Sequence, residues 1–250
     1  MTLKFSEKNH QYRMDGKHVS GVTTLLGKGL PKEALPYWAA KTVAEYVAAN
    51  EDAVRVLREM GEGPMVNALK GIPWQKRDEA AVRGTDVHAL AEQIVHGTAV
   101  DVPEHLMAHV QGYVNWLDTF NVVPILTERS VGNRQHWYAG RFDLIGTIGD
   151  TVWMLDVKTS KGVYGSIALQ THAYANAEFY VNDDDPDTEH PMPEVERHGV
   201  IHVTEAGTEL RPLDSSDKPW RIFQHVAYVA KNRDAIDSFI LDAVTELENL

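Results

Sequence analysis

Asp156 and Lys158 stand two residues apart in "MLDVKTSK", from Met154 to Lys161, within a run that otherwise reads as buried strand. Successive side chains on a strand alternate faces, so Asp156 and Lys158 project together with Met154, while Trp153, Leu155 and Val157 face the other way. A second acid, Asp143, closes "GRFD" in the preceding run, flanked by Phe142 and Leu144, which are expected to point away from it. If the two runs pair through the Gly149-Asp150 turn, both carboxylates approach one another on one face. Two carboxylates about 4 Å apart repel by about 4 kcal/mol at an effective dielectric near 20, so they need a cation or a shared proton. Lys158 offers a single charge. A hard divalent ion answers the repulsion better, because Mg²⁺ is held by one or two carboxylates and keeps room for water or phosphate oxygens. That chemistry is metal-assisted hydrolysis. An isolated acid-x-Lys is more often a salt bridge on a solvated strand, so the company it keeps decides.

Further groups gather around this pair. Gln170 and Tyr174 are one helical turn apart and share a face; the amide can hold a phosphate or the lysine, and the phenol can stack or donate, or simply pack. His88 lies on a helix stripe with Ala81, Gly84, Ala91 and Val95, as a ligand or a core imidazole. Arg141 and Lys161 belong to a basic stretch, Glu128 to Lys161, with five Lys or Arg against four acids. Both are candidates for contacting substrate phosphates, with Thr159 and Ser160 beside Lys161. Glu128 is a candidate outer acid. His105 and His109 have helical metal spacing but no acidic partner, which leaves them as ordinary packing.

The elements that must position these residues follow from punctuation and period. "HQYRMDGKHVSG" reads as a hairpin around Asp15-Gly16, a pair that tolerates the positive φ angles of a type I′ turn. Residues 31–120 read as helical, with Pro64, Pro73 and Pro103 and Gly61, Gly63, Gly71 and Gly97 cutting the region into several helices. Three strand runs follow, "VVPILTERSV", "WYAGRFDLIGTI" and "TVWMLDVKT". "SIALQTHAYANAEFY" reads as a helix, the acidic "DDDPDTEHPMPEVE" as a loop, and "HGVIHVT" with "TELRPL" as a strand pair around Ala206-Gly207. A closing amphipathic helix is expected through Ile236, Phe239, Ile240, Ala243, Val244 and Leu247. The whole predicts one α/β domain over 1–250. Its parts are a hairpin at 1–30, a helical lobe at 31–120, a mixed central sheet flanked by helices at 121–213 and a C-terminal helical segment at 214–250.

Composition bounds the function. The chain has 250 residues, 43% hydrophobic, and no cysteine. Disulfides, thiolate nucleophiles and cysteine-held clusters are thereby excluded, and any metal must be held by oxygen and imidazole. The formal charge of −12 argues against a surface that binds nucleic acid everywhere, though not against a local site. No apolar run suits a membrane span and "MTLKFSEKNHQ" lacks a signal-peptide core, so a soluble, cytoplasmic protein is expected.

Taken jointly, "RGTDVHALAEQ", "GRFD", "MLDVKTSK" and "ALQTHAY" resemble the PD-(D/E)XK nuclease superfamily, in particular its RecB-type exonuclease branch. That branch has a helical histidine after a glycine, a G-x-x-D strand, an acid-x-Lys strand and a Q-x-x-x-Y helix, in that order. Gly84 and His88, Gly140 and Asp143, Asp156 and Lys158, and Gln170 and Tyr174 occupy those positions. The match spans about Arg83 to Tyr174; the opening hairpin is also similar to the start of some viral RecB-type exonucleases, less specifically. The resemblance implies a restriction-endonuclease-like core in which Asp143, Asp156, the carbonyl of Val157 and His88 hold Mg²⁺ or Mn²⁺. It makes Lys158 the residue that orients or helps deprotonate the attacking water. It further implies a DNA exonuclease leaving 5′-phosphate and 3′-hydroxyl ends in recombination or repair, with DNA and a recombination or annealing protein as partners. Many relatives have Glu in place of Asp156, and several carry a cysteine-held iron–sulfur cluster that this chain cannot form. There is no Walker-type loop, so unwinding would need another protein. A non-catalytic DNA-end-binding scaffold and a sequence-specific endonuclease of the same fold stand as alternatives.

Overall fold

The structure is a computed structural model. It describes residues 3–6, 9, 11–95, 102–160 and 162–241, with side chains described at all of these except 80–89, 91–95 and 237. Among the described residues the fold is α/β, a curled mixed sheet of ten strands flanked by helices, as the sequence predicts. The strands are β1 (Leu3–Ser6), β2 (Gln11–Met14), β3 (Lys17–Gly21), β4 (Val123–Asn133) and β5 (Tyr138–Ile148), then β6 (Thr151–Lys158), β7 (Phe179–Val181), β8 (His190–Pro191), β9 (Arg197–Thr204) and β10 (Gly207–Leu213). The helices are α1 (Val22–Gly29), α2 (Ala34–Ala49), α3 (Glu51–Glu59), α4 (Glu62–Val95), α5 (Met107–Phe120), α6 (Ser166–Ala175) and α7 (Lys218–Asn232).

The opening ribbon forms as its turn chemistry requires, with Asp15 at φ 52° and Gly16 at φ 78°. The ribbon also joins the main sheet. β3 runs parallel to the start of β5, Ser20 opposite Tyr138 and Gly21 opposite Ala139, so the ribbon extends the main sheet. The remaining sheet reads β8-β7-β4-β5-β6-β9-β10, with β4, β5 and β6 antiparallel and β6 parallel to β9.

Two apolar layers cover the sheet. On one side α1, α6 and α7 pack Leu25, Leu169, Ala173, Tyr174 and Phe223 onto Tyr138, Phe142, Ile145 and Met154. On the other, Tyr113 and Trp116 of α5 pack onto Leu144, Leu155, Val157 and Ile201. Fully burying side chains of this size is worth about 1.5–3 kcal/mol each, so these layers fix where the sheet's polar positions can sit.

Several boundaries differ from expectation. α1 occupies the end of the segment read as hairpin; its Gly29 lets α7 come close, since a Cβ there would lie 2.5 Å from the Val226 carbonyl oxygen. Gly63, Pro64, Gly71 and Pro73 do not divide the helical region but lie inside α4. Pro64 falls in the first turn, where a missing N–H costs nothing. α6 ends at Ala175, and Phe179 to Val181 turns back as a strand on β4, shorter than the helix read through Tyr180. Of the amphipathic helix expected after α7, Ile236 and Phe239 fall in a 3₁₀ turn, Arg233–Phe239, and are exposed together with Ile240, whereas Ala243, Val244 and Leu247 lie outside the described residues.

Candidate functional site

β5 forks. β4 occupies one of its edges from Tyr138 to Thr147, so β3 and β6 must share the other edge, β3 at Tyr138–Ala139 and β6 from Leu144 onward. Between them lies a gap, and Asp143 stands at its β6 end. The β5–β6 ladder stops at Leu144–Leu155; the next rung in register would pair Asp143 with Asp156. In place of a further backbone rung, the Val157 N–H donates to Asp143 Oδ2 at 2.6 Å. Asp143 thus ties itself to the residue between Asp156 and Lys158.

The regular alternation expected on β5 fails at this point. Phe142 packs with Met154 on the α6 side, whereas Leu144 packs with Leu155 on the α5 side, so the two do not face away from Asp143 together. The irregularity runs across to β4. Glu128, opposite Asp143 in register, has φ 49°, and the ladder skips the Glu128–Asp143 rung between Thr127–Leu144 and Arg129–Phe142. The register is the same on either side of the missing rung, so the pleat is interrupted at this level without a slip, and the faces of Phe142 and Leu144 differ across it.

On β6 the alternation holds. Met154 and Asp156 face α6, and Leu155 and Val157 face α5. Asp156 is 2% exposed. A buried carboxylate needs partners, and it has them: Lys158 Nζ lies 2.6 Å from its Oδ2, and Gln170 Nε2 donates to its Oδ1 at 2.8 Å. Burial disfavours the Lys158 ammonium, but Asp156, then Asp143 and Glu128, more than offset this and raise its pKa above the ordinary lysine value. The lysine therefore stays charged.

Gln170 and Tyr174 share one face of α6, as their spacing requires. Gln170 holds Asp156 rather than a group at the surface. Tyr174 is 3% exposed and lies over Gly140, where a Cβ would sit 2.4 Å from its ring. Burial raises its phenol pKa well above the usual value, with Asp156, Tyr12 and Asp143 adding to the effect. This is why "GRFD" carries glycine three residues before its aspartate: the ring of the site helix rests on that backbone.

Two tyrosines not singled out in the sequence also adjoin the site. Tyr113 of α5 is buried, which raises its pKa, and the charges of Asp143 and Glu128 raise it further. Tyr12 of β2 is pushed up to about 12 by burial, with Arg141, Glu128 and Asp183 as its charged neighbours. Their sequence signal was ambiguous: Tyr113 recurs with Val110, Val114 and Leu117 at helix spacing and Tyr12 with Met14 at strand spacing, so each reads as packing. Arg141 is engaged, its Nε donating to Glu128 Oε2 at 2.8 Å and its two terminal nitrogens to the carboxylate of Asp183 at 3.0 Å each. Asp183 comes from the acidic segment after β7.

His88 falls in α4, but its side chain is outside those described, and Lys161 lies outside the described residues altogether. Among the described residues no group of three or more His, Asp or Glu side chains is gathered for a metal. The donors that are placed, Asp143, Asp156 and the Val157 carbonyl, are all oxygens from adjacent positions at the end of one ladder, a set that suits a hard divalent cation. Among the described residues, no helix is long and apolar enough to cross a membrane.

No protein-family model and no curated protein sequence matches the chain. Among solved structures, one titled "Crystal structure of SSO0001" is similar at 15% identity and a TM-score of 0.28, over 50% of this chain and 56% of that one. The chain thus spans little more than half of that protein's length, at a similarity that bears on neither fold nor activity.

Proposed function

We propose that this chain is a cytoplasmic, divalent-metal-dependent deoxyribonuclease that acts on DNA ends in recombination or repair, leaving 5′-phosphate and 3′-hydroxyl products. One observation carries the reading: the end of the β5–β6 ladder brings Asp143, the Val157 backbone and the Asp156–Lys158 ion pair together, with Gln170 fixing Asp156 from α6. Asp143, Asp156 and the Val157 carbonyl would hold Mg²⁺ or Mn²⁺, with His88 as an added ligand. Bound there, the ion supplies Lewis-acid polarisation of a phosphodiester and acidification of water.

The chain's own residues do the rest. Lys158, held as an ammonium, donates to the attacking water or to a phosphate oxygen and offsets the negative charge that builds up on phosphorus. Gln170 and Tyr174 are positioning residues, one orienting the Asp156 carboxylate and the other packing α6 against Gly140. Asp143 sets the spacing between β5 and β6 through Val157. Arg141 reaches a substrate phosphate only by exchanging the Asp183 carboxylate for it, since both present oxygens to the same guanidinium fork.

Digestion of linear and covalently closed circular DNA of the same sequence, with Mg²⁺ or Mn²⁺, tests the reading. Loss of the linear form alone supports an exonuclease. Cutting of the circle points to an endonuclease, and binding without cutting points to a scaffold.

A further inference from the structure

The outer ribbon carries an arrangement that folding alone does not favour. In register, Lys4 of β1 lies opposite Arg13 of β2, and Arg13 lies opposite His18 of β3, so three basic side chains stand abreast across three strands. All three are exposed. Like charges directly opposite one another, as Lys4 and Arg13 stand, destabilise a sheet. Arg13 donates to the Gly16 carbonyl at 3.1 Å, and among the described residues no carboxylate pairs with Lys4 or Arg13. A lysine on β1 alone could serve to blunt a sheet edge, but β2 and β3 are interior strands with no such need.

The surroundings suit an anion. Lys4 and Arg13 line a shallow depression with Phe5, Ser6, Asn9 and Gln11, which adds hydroxyl and amide groups beside the two cations. Residues 1–21 hold Lys4, Lys8, Arg13 and Lys17 against Glu7 and Asp15, a surplus of two positive charges in a chain whose total is −12. Asp15 is taken up by Arg134, at 2.9 Å. With strands about 4.8 Å apart, the row spans about 10 Å, the reach of two or three successive phosphates.

The ribbon also has a fixed relation to the fork. β3 joins β5 at Tyr138–Ala139, immediately before the gap that ends at Asp143. On the opposite face of the ribbon, Tyr12 lies among Arg141, Glu128 and Asp183.

We propose that the exposed face of the N-terminal ribbon binds the phosphate backbone of a DNA strand through the row Lys4, Arg13 and His18, holding DNA outside the cleavage site. This rests on the nuclease reading for the identity of the polymer. The row grips phosphates without reading bases, and it places the affinity of an otherwise acidic protein in one strip.

The test is equilibrium binding of a fluorescent 20-nucleotide single strand and a 20-base-pair duplex to the full chain in EDTA, across a salt series, for wild type and Lys4→Gln/Arg13→Gln. The expected result is an affinity lower by about tenfold or more and a log–log salt slope shallower by about 1.4 on the single strand or about 1.8 on the duplex. The variant's Tm is expected to be unchanged or higher, because two mutually repelling charges have gone. Unchanged affinity and slope would overturn the proposal, as would wild-type binding to phosphatidylserine vesicles without binding to either oligonucleotide. Because binding is read in EDTA, absence of cleavage with Mg²⁺ would count against the nuclease reading and leave the ribbon result standing. Cleavage by a protein whose ribbon variant binds normally would do the reverse.

Discussion

Asp143 accepts the backbone N–H of Val157 at 2.6 Å, at the rung where β5 and β6 stop exchanging backbone hydrogen bonds. A side chain here does the work of a strand. It closes the ladder and leaves a carboxylate beside the Asp156–Lys158 pair.

Replacing Asp143 therefore has two separable effects. Asp143→Ala leaves the Val157 N–H without its acceptor and costs about 1–3 kcal/mol of stability. Asp143→Asn keeps an acceptor oxygen and is expected to stay within about 1 kcal/mol of wild type, but to lose the charge and with it the proposed nuclease activity. Urea melts and DNA digestion, run on both variants, check the separation.

The ring of His172 stacks on that of His198, centroids 3.8 Å apart and 11° from parallel. His172 Nε2 bonds the Asp214 carbonyl, and the His198 backbone N–H donates to Ser215 Oγ. Burial, then the His172 neighbour, lowers the His198 pKa from 6.5 to about 3. Between those values the unfolded chain takes up a proton that the folded chain refuses, so stability is fully present above pH 6.5 and falls as pH drops toward 3. The expected loss from this residue is about 2 kcal/mol between pH 6.5 and 5. Urea melts at both values should show it, and His198→Phe, which keeps a ring over His172, should reduce it.

Arg134 ties the opening ribbon to the sheet. It pairs with Asp15 in the hairpin turn and with Glu189 before β8, and its guanidinium lies 4.5 Å from the centre of the Phe179 ring. Arg134→Ala is expected to cost about 1–2 kcal/mol and to speed amide exchange across 11–21. Arg134→Lys should not restore protection, because an ammonium cannot serve two carboxylates and a ring in one plane. Hydrogen exchange followed by mass spectrometry reads this directly.

What was legible in the sequence was what local rules govern. Asp15-Gly16 announced its turn through φ, and the β-branched runs announced β4, β5 and β6 through period. Placing Asp156 with Met154, away from Leu155, needed alternation alone. The failures share a cause in tertiary packing. Pro73 sits inside α4 although it, with Gly71, predicted a break. α1 was missed because "VTTLL" is short and β-branched, and its helix is secured by contact with α7 at Gly29. The break in the pleat at Glu128 and Asp143 could not be read, because alternation was the assumption used to place them. Gln170 was seen as a site residue, but its bond to Asp156 depends on how α6 lies on the sheet.

The most direct measurement is the digestion of end-labelled linear DNA by wild type, Lys158→Ala and Asp156→Asn, each first shown by its melting curve to be folded. The account predicts that wild type degrades the DNA with Mg²⁺ or Mn²⁺ and stops on chelation, and that either variant is slower by about a hundredfold to a thousandfold. Degradation that persists in EDTA, or that proceeds at the wild-type rate in the folded Lys158→Ala protein, would contradict it.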